Sequence, residues 1–206
     1  TESGRLQLAR WITDAGNPLT SRVAVNRIWQ WHFGVGLVET PDNFGELGAA
    51  PAASELLDWL ASELIRQGWS IKRLHRLILL SSAYRTAGEP GRVKRGDSGP
   101  KLPAALRAVS GFPRRRLAAE EIRDSLLYVS GLMDSEMYGT LLELKPRQYV
   151  NDAKTGRHLV DYANSRRSIY QPVIRNKVYS LFQTFEFPSP SLVSGRRATT
   201  TVPPQL

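Results

Sequence analysis

The chain has 206 residues, with 41% hydrophobic and 23% charged side chains, which supports one domain with a substantial core and excludes wholesale disorder. It contains no cysteine, so disulfides, thiolate metal sites and the Cys-x-x-Cys-His attachment of c-type haem are excluded within it. The formal net charge of +9 is uneven: residues 1–90 carry nine basic and nine acidic side chains, residues 91–206 nineteen and ten.

All five tryptophans (Trp11, Trp29, Trp31, Trp59 and Trp69) lie in the first, neutral half, which reads as an aromatic core builder followed by a basic half. Leu6, Leu8, Ala9, Trp11 and Ile12 predict a short amphipathic helix ending before the turn Gly16-Asn17-Pro18. Thr20 or Ser21 is the expected cap of a second helix that runs through Val23, Val25, Ile28, Trp29 and Trp31 to Gly34. That helix is apolar on most sides and is expected at the centre, where Asn26 and Arg27 would need polar partners. Seven Gly, Pro and Asn positions from Gly34 to Pro51 mark a long irregular loop. Ser54 is the expected cap of a helix with a Leu56, Leu57, Leu60, Leu64 stripe closed by Gly68, and Ser70 of another with Ile71, Leu74, Leu77 and Ile78 facing inward. These two make a helical hairpin.

From Ala87 to Gly99 the chain is rich in Gly, Arg and Lys and reads as an exposed connector. A further helix is predicted from near Leu117 to Gly131, with Ile122, Leu126 and Val129 on its apolar side. Ser168 to Ile174 has β-forming residues, but Pro172 restricts it to a short edge strand or extended segment. Pro188, Pro190, Pro203 and Pro204 predict an extended C-terminal arm. The fold class is therefore mainly α, a single helical domain with long irregular loops, room for a short edge strand or hairpin in the second half, an extended C-terminal arm and no internal repeat. No apolar run reaches the roughly 20 residues that span a bilayer. The abrupt ends at Thr1 and Leu206 suggest a piece of a longer multidomain protein.

Three histidines occur, His32, His75 and His158, and no spacing among them matches a metal motif, so no metal site is expected. His32 and His75 fit hydrogen-bonded boundary histidines, yet they could meet in space. Glu120, Glu121 and Asp124 are clustered carboxylates, with Glu120 and Asp124 on one helical face; neutralising a helix N-terminus and pairing with arginine explain them more simply than acid–base catalysis. The serines lack a nucleophile-elbow setting, and no phosphate-binding loop is present.

Arginine outnumbers lysine 22 to 6, which suits bidentate contact with carboxylate, sulfate or phosphate, although a GC-rich genome gives the same bias. Arg114, Arg115, Arg116, Arg166, Arg167, Arg196 and Arg197 are the candidate anion-binding residues, with Arg175, Lys177 and the tyrosines 162, 170 and 179 nearby in sequence. They either converge on a basic face or are scattered and paired. No helix-turn-helix, zinc-finger or RNA-binding signature supports nucleic acid as the partner.

The wording Asn17-Pro18-Leu19-Thr20, Asn26 to Gly34, Thr40 to Gly45, Gly68-Trp69-Ser70 and Leu74-His75-Arg76, followed by Arg114 to Asp124, Val129-Ser130-Gly131, Arg167 to Tyr170 and Thr201 to Gln205, resembles the planctomycete-specific domain of unknown function found C-terminal to planctomycete-type cytochrome c domains. The likeness covers nearly the whole chain; Met133 to Tyr149 depart from the family's usual glycine-rich turn. It implies an exported, cytochrome-linked parent protein with any haem held elsewhere, in a family without an established activity. The leading reading of the residues is a non-catalytic interaction module whose basic half contacts acidic polysaccharide or a sister domain. Two alternatives stand beside it: a hydrolase or redox-associated enzyme joining His32 or His75 with Glu120, Glu121 or Asp124, and nucleic-acid binding through the basic half.

Overall fold

The computed structural model describes residues 3–85, 115–142, 162–175 and 177–198. The chain folds as two compact units, residues 1–115 and 116–206. The mainly α class is as expected: among the described residues there are seven α-helices, a 3₁₀ turn and two isolated β-bridges, with no sheet. The expected connector at 87–99 lies outside the described residues, as do His158 and Arg114.

In the first unit, α1 (Arg5–Thr13) buries none of its side chains. The helix α2 (Thr20–Phe33) is central, with Val25, Asn26, Trp29 and Phe33 buried. Trp31 points outward, so the apolar surface is narrower than its composition suggests. Neither Thr20 nor Ser21 caps it: Asn17 does so from three residues upstream, its Oδ1 accepting from the N–H groups of Leu19 (2.9 Å) and Thr20 (3.3 Å). Gly34 ends the helix at φ 83°.

The loop after α2 enters the core. Leu37 and Val38 are buried there, and fully buried Asn26 holds the segment by donating Nδ2 to Val38 O (3.0 Å) and accepting at Oδ1 from Val38 N (2.8 Å). Gly36 is required by this approach, because a Cβ there would lie 2.7 Å from both Asn26 amide atoms. The exposed Arg27, by contrast, reaches Asp42 at 3.6 Å.

The helix α3 (Ser54–Arg66) starts one residue earlier than a Ser54 cap would place it, and Ser54 makes no capping bond. Its stripe buries Leu57, Leu60 and Leu64 against α2. It closes in a Schellman motif: Gly68 sits at φ 66°, Gly68 N donates to Ile65 O and Trp69 N to Leu64 O, both at 2.9 Å. Ser70 then caps α4 (Ile71–Leu80) by accepting from Arg73 N. Leu74 and Ile78 are buried, whereas Ile71 is exposed at the first turn. A single turn, α5 (Ser82–Arg85), brings Tyr84 against Phe33 and His32.

In the second unit, α6 (Ala119–Val129) ends in a second Schellman motif at Gly131, φ 72°. Its buried face is not the expected Ile122, Leu126 and Val129; Ala119 and Arg123 are buried, while Leu126 and Val129 are exposed. Arg123 is 5% exposed because its guanidinium donates to the carbonyls of Arg166 (2.7 Å) and Asn164 and to Ser168 Oγ (3.3 Å). Residues 168–174, expected as an edge strand or extended segment, begin as a 3₁₀ turn (Ser168–Tyr170) and then extend, with a bridge between Ile174 and Lys177. A short helix α7 (Ser180–Thr184) places Phe182 in a ring series in which Tyr162 stacks on Tyr179 and Phe182 on Phe187. Residues 185–198 form no regular element.

Candidate functional site: a groove in the first unit and a carboxylate cluster in the second

Between α3 and α4 the first unit carries an open cavity of about 700 Å³, to which α2 contributes Trp29. Its lining is mostly apolar, with Leu56, Trp59 and Leu60 from α3 and Leu77, Ile78 and Leu80 from α4. Three arginines, Arg66, Arg73 and Arg76, share the lining, and among the described residues no carboxylate does. Arg66 is engaged by Glu63, to which it donates from Nε and Nη2, both at 2.6 Å. That pairing and a bond from Gln67 hold the Glu63 carboxyl down at about 2. Two buried polar atoms of lining residues have no hydrogen-bond partner among the described residues: the Nε1 donor of Trp29, which is 5% exposed, and the Oε1 acceptor of Gln67.

His32 and His75, 43 residues apart, meet in the same unit. Nε2 of His32 lies 2.7 Å from Nδ1 of His75, and the rings stand edge to face at 68°. One nitrogen donates and the other accepts, so the bond exists only while at least one ring is neutral. Burial, and then the nearby His75 charge, push the pKa of His32 down. Such a pair can hand a proton along, but a nucleophile–base device also needs a third group to orient it. Among the described residues, no three His, Cys, Asp or Glu side chains gather to hold a metal ion.

Glu120, Glu121 and Asp124 belong to the second unit, and His32 and His75 to the first. Glu120, Glu121 and Asp124 line one cavity of about 350 Å³ with Ser168, Gln171 and Phe182. Each has a partner in the fold. Glu120 receives a bidentate pair from Arg197 at 2.6 and 2.7 Å; burial pushes its pKa up, but the Arg197 bonds, a backbone hydrogen bond and the Arg197 charge together outweigh this and hold it below the ordinary carboxylate value. Glu121 accepts from Ala118 N (2.7 Å) at the start of α6, and Asp124 from Ser168 N (2.7 Å) at the start of the 3₁₀ turn. Acid–base work would require these bonds to be given up.

The arginines fall into three groups. Arg166 is largely buried, donating from Nη2 to the carbonyls of Glu136 (2.9 Å) and Tyr138 (2.6 Å) over the Tyr170 ring. Arg197 is held by Glu120 and lies over Phe187; Arg116 lies over Phe185, at 5.7 Å. Arg115 and Arg196 are exposed at the surface, as are Arg167 and Arg175. Sequence reasoning did not single out the groove, since Trp29 reads as a core residue. Its signal is Leu77 to Leu80, a run of four apolar residues too wide for one buried stripe, beside Arg73 and Arg76.

Fold and sites together define an arginine-rich α-helical protein with an apolar groove in one unit and structurally engaged carboxylates in the other. The chain belongs to the family described as PSD1, protein of unknown function (DUF1553), whose model matches residues 4–206. No curated protein and no solved structure matches it. No helix among the described residues is long and apolar enough to cross a membrane.

Proposed function

We propose that this chain is a non-catalytic interaction module of an exported, cytochrome-linked multidomain protein, and that it contacts an acidic partner, a polysaccharide or a sister domain. The observation that carries this reading is the engagement of the best acid–base candidates in holding the fold: Glu120 by Arg197, Glu121 by Ala118 N and Asp124 by Ser168 N. The charge excess of +9 supports an acidic partner. Arg167 and Arg175, exposed and without an ion pair among the described residues, are the contacts this reading favours in the second unit. Haem belongs, in this proposal, to another part of the parent protein.

The test is binding of the purified chain to sulfated and uronic-acid polysaccharides and to DNA. Preference for one glycan class, weakened in an Arg167→Ala/Arg175→Ala variant, supports the module. Turnover of a glycan, lost in Glu120→Gln or His32→Gln at unchanged stability, would replace it with the enzyme reading.

A further inference from the structure

We propose that the groove between α3 and α4 binds a small amphipathic carboxylate: an apolar body against the leucines and tryptophans, and an anionic head met by Arg73 and Arg76. This is independent of the acidic-polymer reading, which concerns other residues. About 700 Å³ lies in the range of small-ligand sites and exceeds what a packing fault leaves in a core.

The lining chemistry then selects the ligand. Leu56, Leu60, Leu77, Ile78 and Leu80 offer aliphatic surface that a sugar, hydroxylated on its edges, would leave poorly matched, whereas a hydrocarbon chain or ring removes it from water. Among the described residues, the formally charged ones in the lining are Arg66, Arg73 and Arg76, and with Arg66 held by Glu63 the other two guanidiniums have no carboxylate within salt-bridge distance. Opposite charge in a ligand completes them.

Hydrogen bonding points the same way. A buried indole N–H without an acceptor is uncommon, because the desolvation of the unpaired donor goes uncompensated. Trp29 Nε1 is such a donor on a lining residue, and Gln67 Oε1 is an unmatched acceptor on another. Both atoms are closed off from solvent, so a ligand oxygen reaches the indole N–H only where the lining side chains part to admit it.

Calorimetric titration of the whole chain with laurate below its micelle concentration, beside neutral dodecanol, tests the proposal. One saturable laurate site is expected, with dodecanol bound at least about tenfold more weakly, as the loss of charge-assisted bonds implies. Arg73→Gln/Arg76→Gln should weaken laurate by about tenfold or more. Trp29→Phe, which keeps an aromatic ring but removes the donor, should weaken it by about three- to tenfold, with circular dichroism showing both variants folded. Arg167→Ala/Arg175→Ala should leave laurate unchanged, so failure of the polymer reading is separable from failure of this one. Absence of saturable laurate binding, equal affinity for dodecanol, or indifference to Arg73→Gln/Arg76→Gln in a folded protein would overturn it.

Discussion

Asn26 grips Val38 by both ends of its amide, donating to the carbonyl at 3.0 Å and accepting from the N–H at 2.8 Å, inside a fully buried site. A side chain thereby does for the loop what a neighbouring strand would do in a sheet. Replacing it leaves two buried backbone groups of Val38 unmatched. Asn26→Ala is expected to cost about 2–4 kcal/mol in urea unfolding, from the usual penalty for each orphaned group. Gly36→Ala should damage the same contact from the other side, since its new methyl meets both amide atoms and Val38 O at 2.7 Å.

Arg123 plays the corresponding part in the second unit. Its guanidinium collects the carbonyls of Asn164 and Arg166, more than 40 residues away, while its neighbour Asp124 accepts from Ser168 N. Arg123→Met keeps length and removes the donors, so amide hydrogen exchange should quicken across residues 164–171 while the first unit keeps its protection. Arg123→Lys should rescue little, because one ammonium cannot reproduce the planar fork. Unchanged exchange in 164–171 would show that the segment is held by other contacts.

The histidine pair makes stability depend on pH in a defined direction. His32 has a lowered pKa in the folded chain, so between that value and the ordinary 6.5 the unfolded chain binds more protons. Its contribution is complete above 6.5 and is lost as pH falls below it. Urea midpoints should therefore drop from pH 7.5 to 5.5, and the drop should be smaller in His32→Gln. Glu63 and Glu120, whose pKa values are lowered, lose their contributions in a more acidic window and do not mimic this.

Both Schellman glycines hold left-handed backbone, Gly68 at φ 66° and Gly131 at φ 72°. Gly68→Ala and Gly131→Ala have room for the added methyl, so their cost is conformational alone, about 1 kcal/mol each by thermal or urea unfolding. A neutral result would mean that these helix ends adjust freely.

Local signals were legible in the sequence: the glycines that end α2, α3 and α6, the Ser70 cap, and the Leu57, Leu60, Leu64 stripe. Each depends on residues within one or two turns. What stayed hidden depends on distant chain. Asn17 displaces Thr20 and Ser21 as the cap of α2 through an Asx turn. Periodicity assigned Leu126 and Val129 to the inside of α6, but the segment that packs there presents carbonyl groups, so Arg123 is buried beside Ala119 instead. Distant partners likewise separate Arg166, held by the carbonyls of Glu136 and Tyr138, and Arg197, held by the Glu120 carboxylate, from their exposed neighbours Arg167 and Arg196. The meeting of His32 with His75 was open in the sequence, and the packing of α2, α4 and α5 decides it.

The measurement that bears most directly on the interaction-module account is the salt dependence of polyanion binding, taken on the glycan class the chain prefers. The logarithm of affinity should fall linearly with the logarithm of salt concentration, with a shallower slope in Arg167→Ala/Arg175→Ala and an unchanged slope in Glu120→Gln. A wild-type affinity insensitive to salt, or a slope that the arginine substitutions leave unaltered, would contradict it.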